Sequence, residues 1–229
     1  MSLSLGMWPI ALLTLAFLIP LIYCAKWKKK ELKNIALLTG CGVVIILLYP
    51  LTFYLSNVLG VTGYAIAKII LFVLLPIVVV FYIERWNVKD ILFSAGVRKE
   101  NLQKSVIYGV IAGVITIVIT VVVSTTYGVD VVWRIVMFFE AFTEEFFFRG
   151  VLFLYLAQKT NLKVAYSTSI IGFILIHPQH FTSMFIISTI SQAILLTIVA
   201  DKTKNIIGPW IAHGLNRNMP SLIRMVLGI

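Results

Sequence analysis

Charge is scarce in this sequence. Asp, Glu, Lys and Arg make up 12% of its 229 residues, and only nine residues are acidic. A soluble domain devotes about a quarter of its residues to charge, so a water-covered globular class is excluded. Cysteine is nearly absent as well. Cys24 and Cys41 both lie in apolar runs, which rules out a disulfide framework or a thiolate metal cluster and leaves two small buried hydrophobes. The chain shows no internal repeat, no low-complexity tract and no polar stretch long enough for a soluble domain. No basic residue precedes the first apolar run, "MSLSLGMWPIALLTLAFLIPLIYCA", and "KWKKKELK" follows it. That flank is expected of a retained helix with its N-terminus outside, rather than a cleaved leader.

What the chain does have is apolar length. It is 60% hydrophobic, with a mean hydropathy of +1.02. Runs of about 20 residues, enough to cross a bilayer, fall at 7–25, 35–57, 63–82, 103–125, 131–157, 163–178, 181–200 and 205–225. The expected fold is therefore all-α: a polytopic membrane helix bundle of about eight transmembrane helices, forming a single domain over 1–229. The sixth and seventh runs are parted only by "HPQH", so seven spans is the alternative. The net charge of +10 could suggest nucleic acid, but its distribution argues against that. Fourteen of the nineteen Lys and Arg lie in four stretches: 26–33, 85–104, 159–163 and 202–204. These are the odd-numbered loops of an eight-span chain; the even ones, "SNVLGVT", "STTYGVD" and "PQHFT", hold none. By the positive-inside rule the odd loops are cytoplasmic and both termini lie outside, in a multi-pass protein of the cell membrane. A seven-span chain breaks this alternation. The long third loop, near 84–101, interleaves Trp86, Val88, Ile91, Leu92 and Val97 with charges, as an amphipathic segment on the inner membrane surface would.

Against this background "FFEAFTEEFFFRG", Phe138 to Gly150, stands out, with four ionisable groups among six phenylalanines. Such groups deep in a membrane mark either a function or a paired structural network. On a helix Glu145 and Arg149 are four apart and can pair, while Glu140 and Glu144 share a neighbouring face. Two carboxylates there, largely out of water, do not both ionise easily. A buried carboxylate suits acid–base work; a polar seam that glues helices together is the plainer reading. Lys68, Arg134 and Arg224 lie near span ends and are expected to snorkel to the interface. At about 1.5 Å per residue, Glu144 and Glu145 lie about 18–20 Å from the inner end of their span, His177 about 20 Å and His213 about 13 Å. They can meet at one level, and carboxylate plus imidazole is the minimal kit for activating a water. His180 is expected nearer the outer surface and outside this group.

Three motifs in these spans, all within 131–220, together resemble the CPBP (CAAX protease and bacteriocin-processing, Abi) family of intramembrane proteases, similar to CAAX prenyl protease type 2. "EEFFFR", Glu144 to Arg149, resembles EExxxR; "FILIH", Phe173 to His177, resembles FxxxH; and "IIGPWIAHGLN" resembles the third motif, built on His213. The resemblance implies an intramembrane endopeptidase in which Glu144 and His177 activate the water. It also implies that Glu145 and Arg149 order the site and that His213 stabilises the oxyanion. One departure falls at the position where the family carries an oxyanion-donating asparagine. Here that residue is Arg217, flanked by Asn216 and Asn218. Arg217 can donate to an oxyanion or pair with Glu140, or Asn216 can take the donor role.

The expected partners are the lipid bilayer and a membrane-embedded or lipid-modified peptide, cut near the cytoplasmic side, with no nucleic acid. The residues accommodate a mechanism that needs no cofactor, or one using a divalent metal such as zinc on Glu144, His177 and His213. Nothing in the sequence fixes an oligomeric state. The competing expectation is a non-catalytic membrane scaffold or bacteriocin-immunity protein that keeps the family's polar core.

Overall fold

The computed structural model describes residues 8–124 and 130–228. Residue 7 of the first expected span and the centre of "STTYGVD" lie outside the described residues. Within them the chain is helical throughout: α1 (Trp8–Trp27), α2 (Leu32–Leu48), α3 (Pro50–Ile69), α4 (Leu75–Glu84), α5 (Val88–Ser94), α6 (Leu102–Val123), α7 (Val131–Glu145), α8 (Leu156–Lys159), α9 (Leu162–Leu175), α10 (Phe185–Thr203) and α11 (Ile207–Leu227). Short π-helical turns, Ile70–Leu74 and Phe146–Tyr155, join α3 to α4 and α7 to α8.

The polarity of α6 is that of a membrane helix. Its buried face is small or hydroxylated (Ser105, Gly109, Ala112, Gly113, Thr116, Thr120), while Val114, Val118 and Val122, one turn apart, are 57%, 58% and 78% exposed. Lipid solvates valine as well as a protein core does, so close packing and hydroxyl hydrogen bonds hold such helices together. Among the described residues four helical stretches are long and apolar enough to cross a membrane: Lys29–Leu48, Pro50–Glu84, Leu102–Val123 and Phe185–Thr203. Leu12–Trp27 and Leu162–Leu175 are shorter apolar helices. The protein is thus an all-α membrane helix bundle, although the apolar-length test meets the expected eight spans in only four helices. The Pro50–Glu84 stretch is itself two arms. Gly60 breaks it at φ 63°, ψ −153°, a region that favours glycine. A Cβ on Gly63 would strike the carbonyl of Leu55, so the chain folds back here, between the two expected spans 35–57 and 63–82. The "HPQH" junction also separates two helices, through a 3₁₀ turn over Pro178–Thr182.

The third loop forms the short helix α5. Its N-cap, Asn87, accepts a hydrogen bond from Asp90 N at 3.0 Å. Ile91 and Ala95 are buried on the bundle, while Val88 and Phe93 stay exposed, which is the expected amphipathic pattern. Helix α6 packs on α10 and α11, α11 on α7, and α1 on α2 and α9. The closest approach is between glycines: a Cβ on Gly208 would sit on the Ser105 carbonyl, and one on Gly109 on the Gly208 backbone. Gly208→Ala therefore has to separate α6 from α11. Its thermal midpoint in detergent is expected to fall by the equivalent of about 1–3 kcal/mol, whereas Gly40→Ala, with open space around it, leaves the midpoint in place.

Candidate active site

Helix α7 delivers three carboxylates, and none is exposed to more than 3%. Glu145 accepts from Arg149 Nη1 at 3.1 Å, four residues on, as its spacing predicts. The pair is held at both ends. His213 Nδ1 donates to Glu145 Oε1 at 2.7 Å, and Arg149 Nη2 donates to the Gln192 carbonyl at 3.1 Å. The guanidinium also lies 3.9 Å over the ring of Phe173, a cation–π contact strengthened by the absence of water. Phe173 further packs against His177 and His213, with ring centres 4.8 and 5.6 Å apart. The FxxxH phenylalanine is thus the common floor beneath both histidines.

Glu140 and Glu144 share a second set of partners. Thr143 donates to Glu140 Oε1 at 3.1 Å, and Arg217 donates from Nη1 to Glu140 Oε2. Glu144 Oε1 accepts from Arg217 Nη2 at 2.9 Å and from Lys68 Nζ at 2.5 Å. The Lys68 ammonium lies 3.5 Å from Glu140 Oε1 and 4.4 Å over the Phe72 ring. Lys68 was expected to snorkel to the interface, yet it is fully buried. The fold-back at Gly60 leaves it two turns inside the returning arm of α3, where the carboxylates of α7 are its best solvation. Arg134 and Arg224 lie half-buried near the ends of α7 and α11. Arg134 donates to the Asn218 carbonyl at 2.6 Å and to Ser221 at 2.8 Å, and Arg224 donates to the Val121 carbonyl at 2.6 Å.

The other oxygen of Glu144, Oε2, is buried without a hydrogen bond. It faces His177 Nε2 at 3.4 Å and His213 Nε2 at 3.8 Å. Hydrogen-bond logic fixes the histidine tautomers. His177 Nδ1 is 2.8 Å from the Phe173 carbonyl, which can only accept. Nδ1 therefore carries a proton, and in the neutral ring Nε2 turns a lone pair toward Glu144. His213 donates from Nδ1 to Glu145 and accepts at Nε2 from Arg217 Nε, 3.1 Å away. With its proton on Nδ1, His213 has no N–H to offer an oxyanion at Nε2.

His180, expected outside the group, stacks on His177 with ring centres 5.0 Å apart and planes within 11°. Its Nδ1 is held at 2.6 Å by Thr189. Asn216 Oδ1 accepts from Thr120 at 2.9 Å, which leaves its NH₂ as the group offered to the adjoining cavity. That cavity is about 490 Å³ and is lined by Glu144, His177, His180, His213, Asn216 and Arg217, among others. The structure therefore brings together every site residue expected from the sequence: Glu140, Glu144, Glu145, Arg149, Phe173, His177, His213, Asn216 and Arg217. It adds Lys68 and His180, which spacing alone did not reveal.

Of the donors a dication would need, only Glu144 Oε2 and His177 Nε2 are without a partner. Oε1 of Glu144 already faces an ammonium and a guanidinium, and the Nε2 lone pair of His213 is taken by Arg217. Among the described residues no three His, Cys, Asp or Glu side chains are arranged to hold a metal.

Fold and site together define a membrane helix bundle with a buried Glu–His centre. Residues 129–219, the stretch carrying all three motifs, match the family described as Rce1-like, type II CAAX prenyl endopeptidase. That match bears out the resemblance to CAAX-type proteases that the three motifs carry. No curated protein and no solved structure matches the chain.

Proposed function

We propose that this protein hydrolyses a peptide bond of a membrane-associated or lipid-modified peptide, with Glu144 as general base and no metal. The observation that supports this best is the facing pair Glu144 Oε2 and His177 Nε2 at 3.4 Å, two acceptors opening on a cavity. A water there gives one hydrogen bond to each and presents its oxygen lone pair to a carbonyl carbon. Glu144 takes the proton as the water oxygen bonds to that carbon, and the carbonyl becomes an oxyanion. The C–N bond then breaks as the proton passes to the leaving nitrogen, with His177 guiding it. The free NH₂ of Asn216 and the guanidinium of Arg217 are the oxyanion donors, while His213 acts as a positioning residue that ties Glu145 to Arg217. Lys68 and Arg217 hold the other carboxylate oxygen of Glu144, so that Oε2 is the one left to face the water.

The direct test is cleavage of a lipid-anchored fluorogenic peptide by purified protein in nanodiscs, with and without a strong chelator. Turnover that survives chelation supports the scheme, and turnover abolished by chelation and restored by zinc overturns its metal-free part. Asn216→Ala is expected to lower kcat by about 10²–10³-fold with KM little changed, as loss of an oxyanion donor does.

A second reading, a non-catalytic scaffold or immunity protein, draws on Arg217, whose guanidinium occupies both Glu144 and His213. On that reading the biological phenotype survives Glu144→Gln.

A further inference from the structure

Among the described residues the exposed lining of the cavity lies toward one end of the bundle. Its exposed rim residues, Asp130 and Gln179, belong to the fourth and sixth loops. The wall between them comes from the ends of helices that meet those loops: Thr120 late in α6, Trp133 early in α7, Thr189 early in α10 and Ser221 late in α11. Toward the other end the site is closed by Phe146, Phe147, Phe148 and Arg149, all fully buried.

The basic loops sit at that closed end, and the structure ties them together there. Arg98 donates to the Lys204 carbonyl at 2.7 Å, Asn205 to the Arg98 carbonyl at 2.7 Å, and Asn101 to the Thr203 carbonyl at 3.1 Å. Lys159 pairs with Glu84 at 2.7 Å. Helix α6 measures the distance between the two ends. It starts beside these loops at Leu102 and finishes next to the cavity-lining Ser124, 22 residues later, or about 33 Å, the thickness of a bilayer core. The cations near the open end do not offset this asymmetry. Lys68 and Arg217 are bound to carboxylates, and Arg134 and Arg224, which keep their charge on backbone carbonyls, are two against the fourteen Lys and Arg of the basic loops.

Lys and Arg in short loops stay on the cytoplasmic side. We infer that the cavity opens to the extracytoplasmic side, so that the peptide it admits is a segment already carried across the membrane, such as the anchor or leader of a translocated polypeptide. This replaces the expectation of a cut near the cytoplasmic side. The substrate half of the inference rests on the peptidase reading; the sidedness half does not.

The test separates the two. In a chain with Cys24→Ala and Cys41→Ala, Met184→Cys reports the open end and Lys202→Cys the basic end. A membrane-impermeant maleimide is expected to label Met184→Cys in intact cells and Lys202→Cys only after permeabilisation. The reverse pattern, or both sites reacting before permeabilisation, overturns the sidedness. A single-span reporter with the same peptide on its outer or inner flank then tests the substrate. Cleavage of the outer flank alone supports the inference, and cleavage of the inner flank overturns it. If neither flank is cut while the labelling holds, the substrate half falls together with the peptidase reading, and the outward opening stands.

Discussion

Glu144→Gln is expected to reduce peptide hydrolysis by about 10²–10⁴-fold, the usual worth of a general base, while the protein remains folded and monodisperse in detergent. Glutamine is the informative replacement. It keeps an oxygen to accept from Lys68 Nζ and Arg217 Nη2, at 2.5 and 2.9 Å in the native site, so both hydrogen bonds persist although one negative charge is lost and the thermal midpoint falls. What it removes is the basic oxygen opposite His177. Glu144→Ala would instead strip a partner from both cations and confuse lost chemistry with lost structure. Turnover in Glu144→Gln within about tenfold of the native rate would remove Glu144 from the mechanism, and the scaffold reading would then lead.

Lys68→Met carries the largest expected effect on stability. It leaves Glu140 and Glu144 sharing Arg217 alone, inside apolar surroundings. Breaking one partner out of a buried ion-paired group costs about 3–5 kcal/mol, read as a fall in the thermal midpoint. The double variant Lys68→Met with Glu140→Gln removes one positive and one negative charge together. It is expected to regain at least half of the loss, a non-additivity that only neighbours sharing partners produce. If the two changes simply add, Lys68 is not what balances Glu140 and Glu144. Activity gives an independent readout. Lys68→Arg keeps the charge and is expected to retain turnover, whereas Lys68→Met removes a hydrogen-bond partner of Glu144 and is expected to lower it.

The sequence revealed most of what depends on local spacing. The Glu145–Arg149 pair is a consequence of four-residue spacing, and it survives the widening of the helix into π turns from Phe146 onward. The meeting of Glu144, His177 and His213 followed from depth along three spans. Pairing with Glu140 was one of the open options for Arg217, and the two meet in the structure. Lys68 escaped because distance to the end of an apolar run is a poor measure of burial when the chain folds back on itself. Its partners lie more than seventy positions away, and no periodicity connects them. His180 escaped for a related reason: the 3₁₀ turn after Pro178 curls it back onto His177, where a straight continuation would have carried it outward. The direction of the cavity was hidden too, because it depends on which helix ends come together to line it.

The fold-back at Gly60 has one more consequence. Within the family-matched stretch, the three buried carboxylates of α7 face only two guanidiniums, Arg149 and Arg217. The third cation comes from Lys68, outside that stretch. The carboxylate cluster of α7 is therefore not balanced by its partners within that stretch, and the N-terminal helices act as a counter-ion as much as an anchor. Fragments 1–100 and 101–229 expressed apart would each carry an uncompensated charge in lipid, and each would find its complement only in the other.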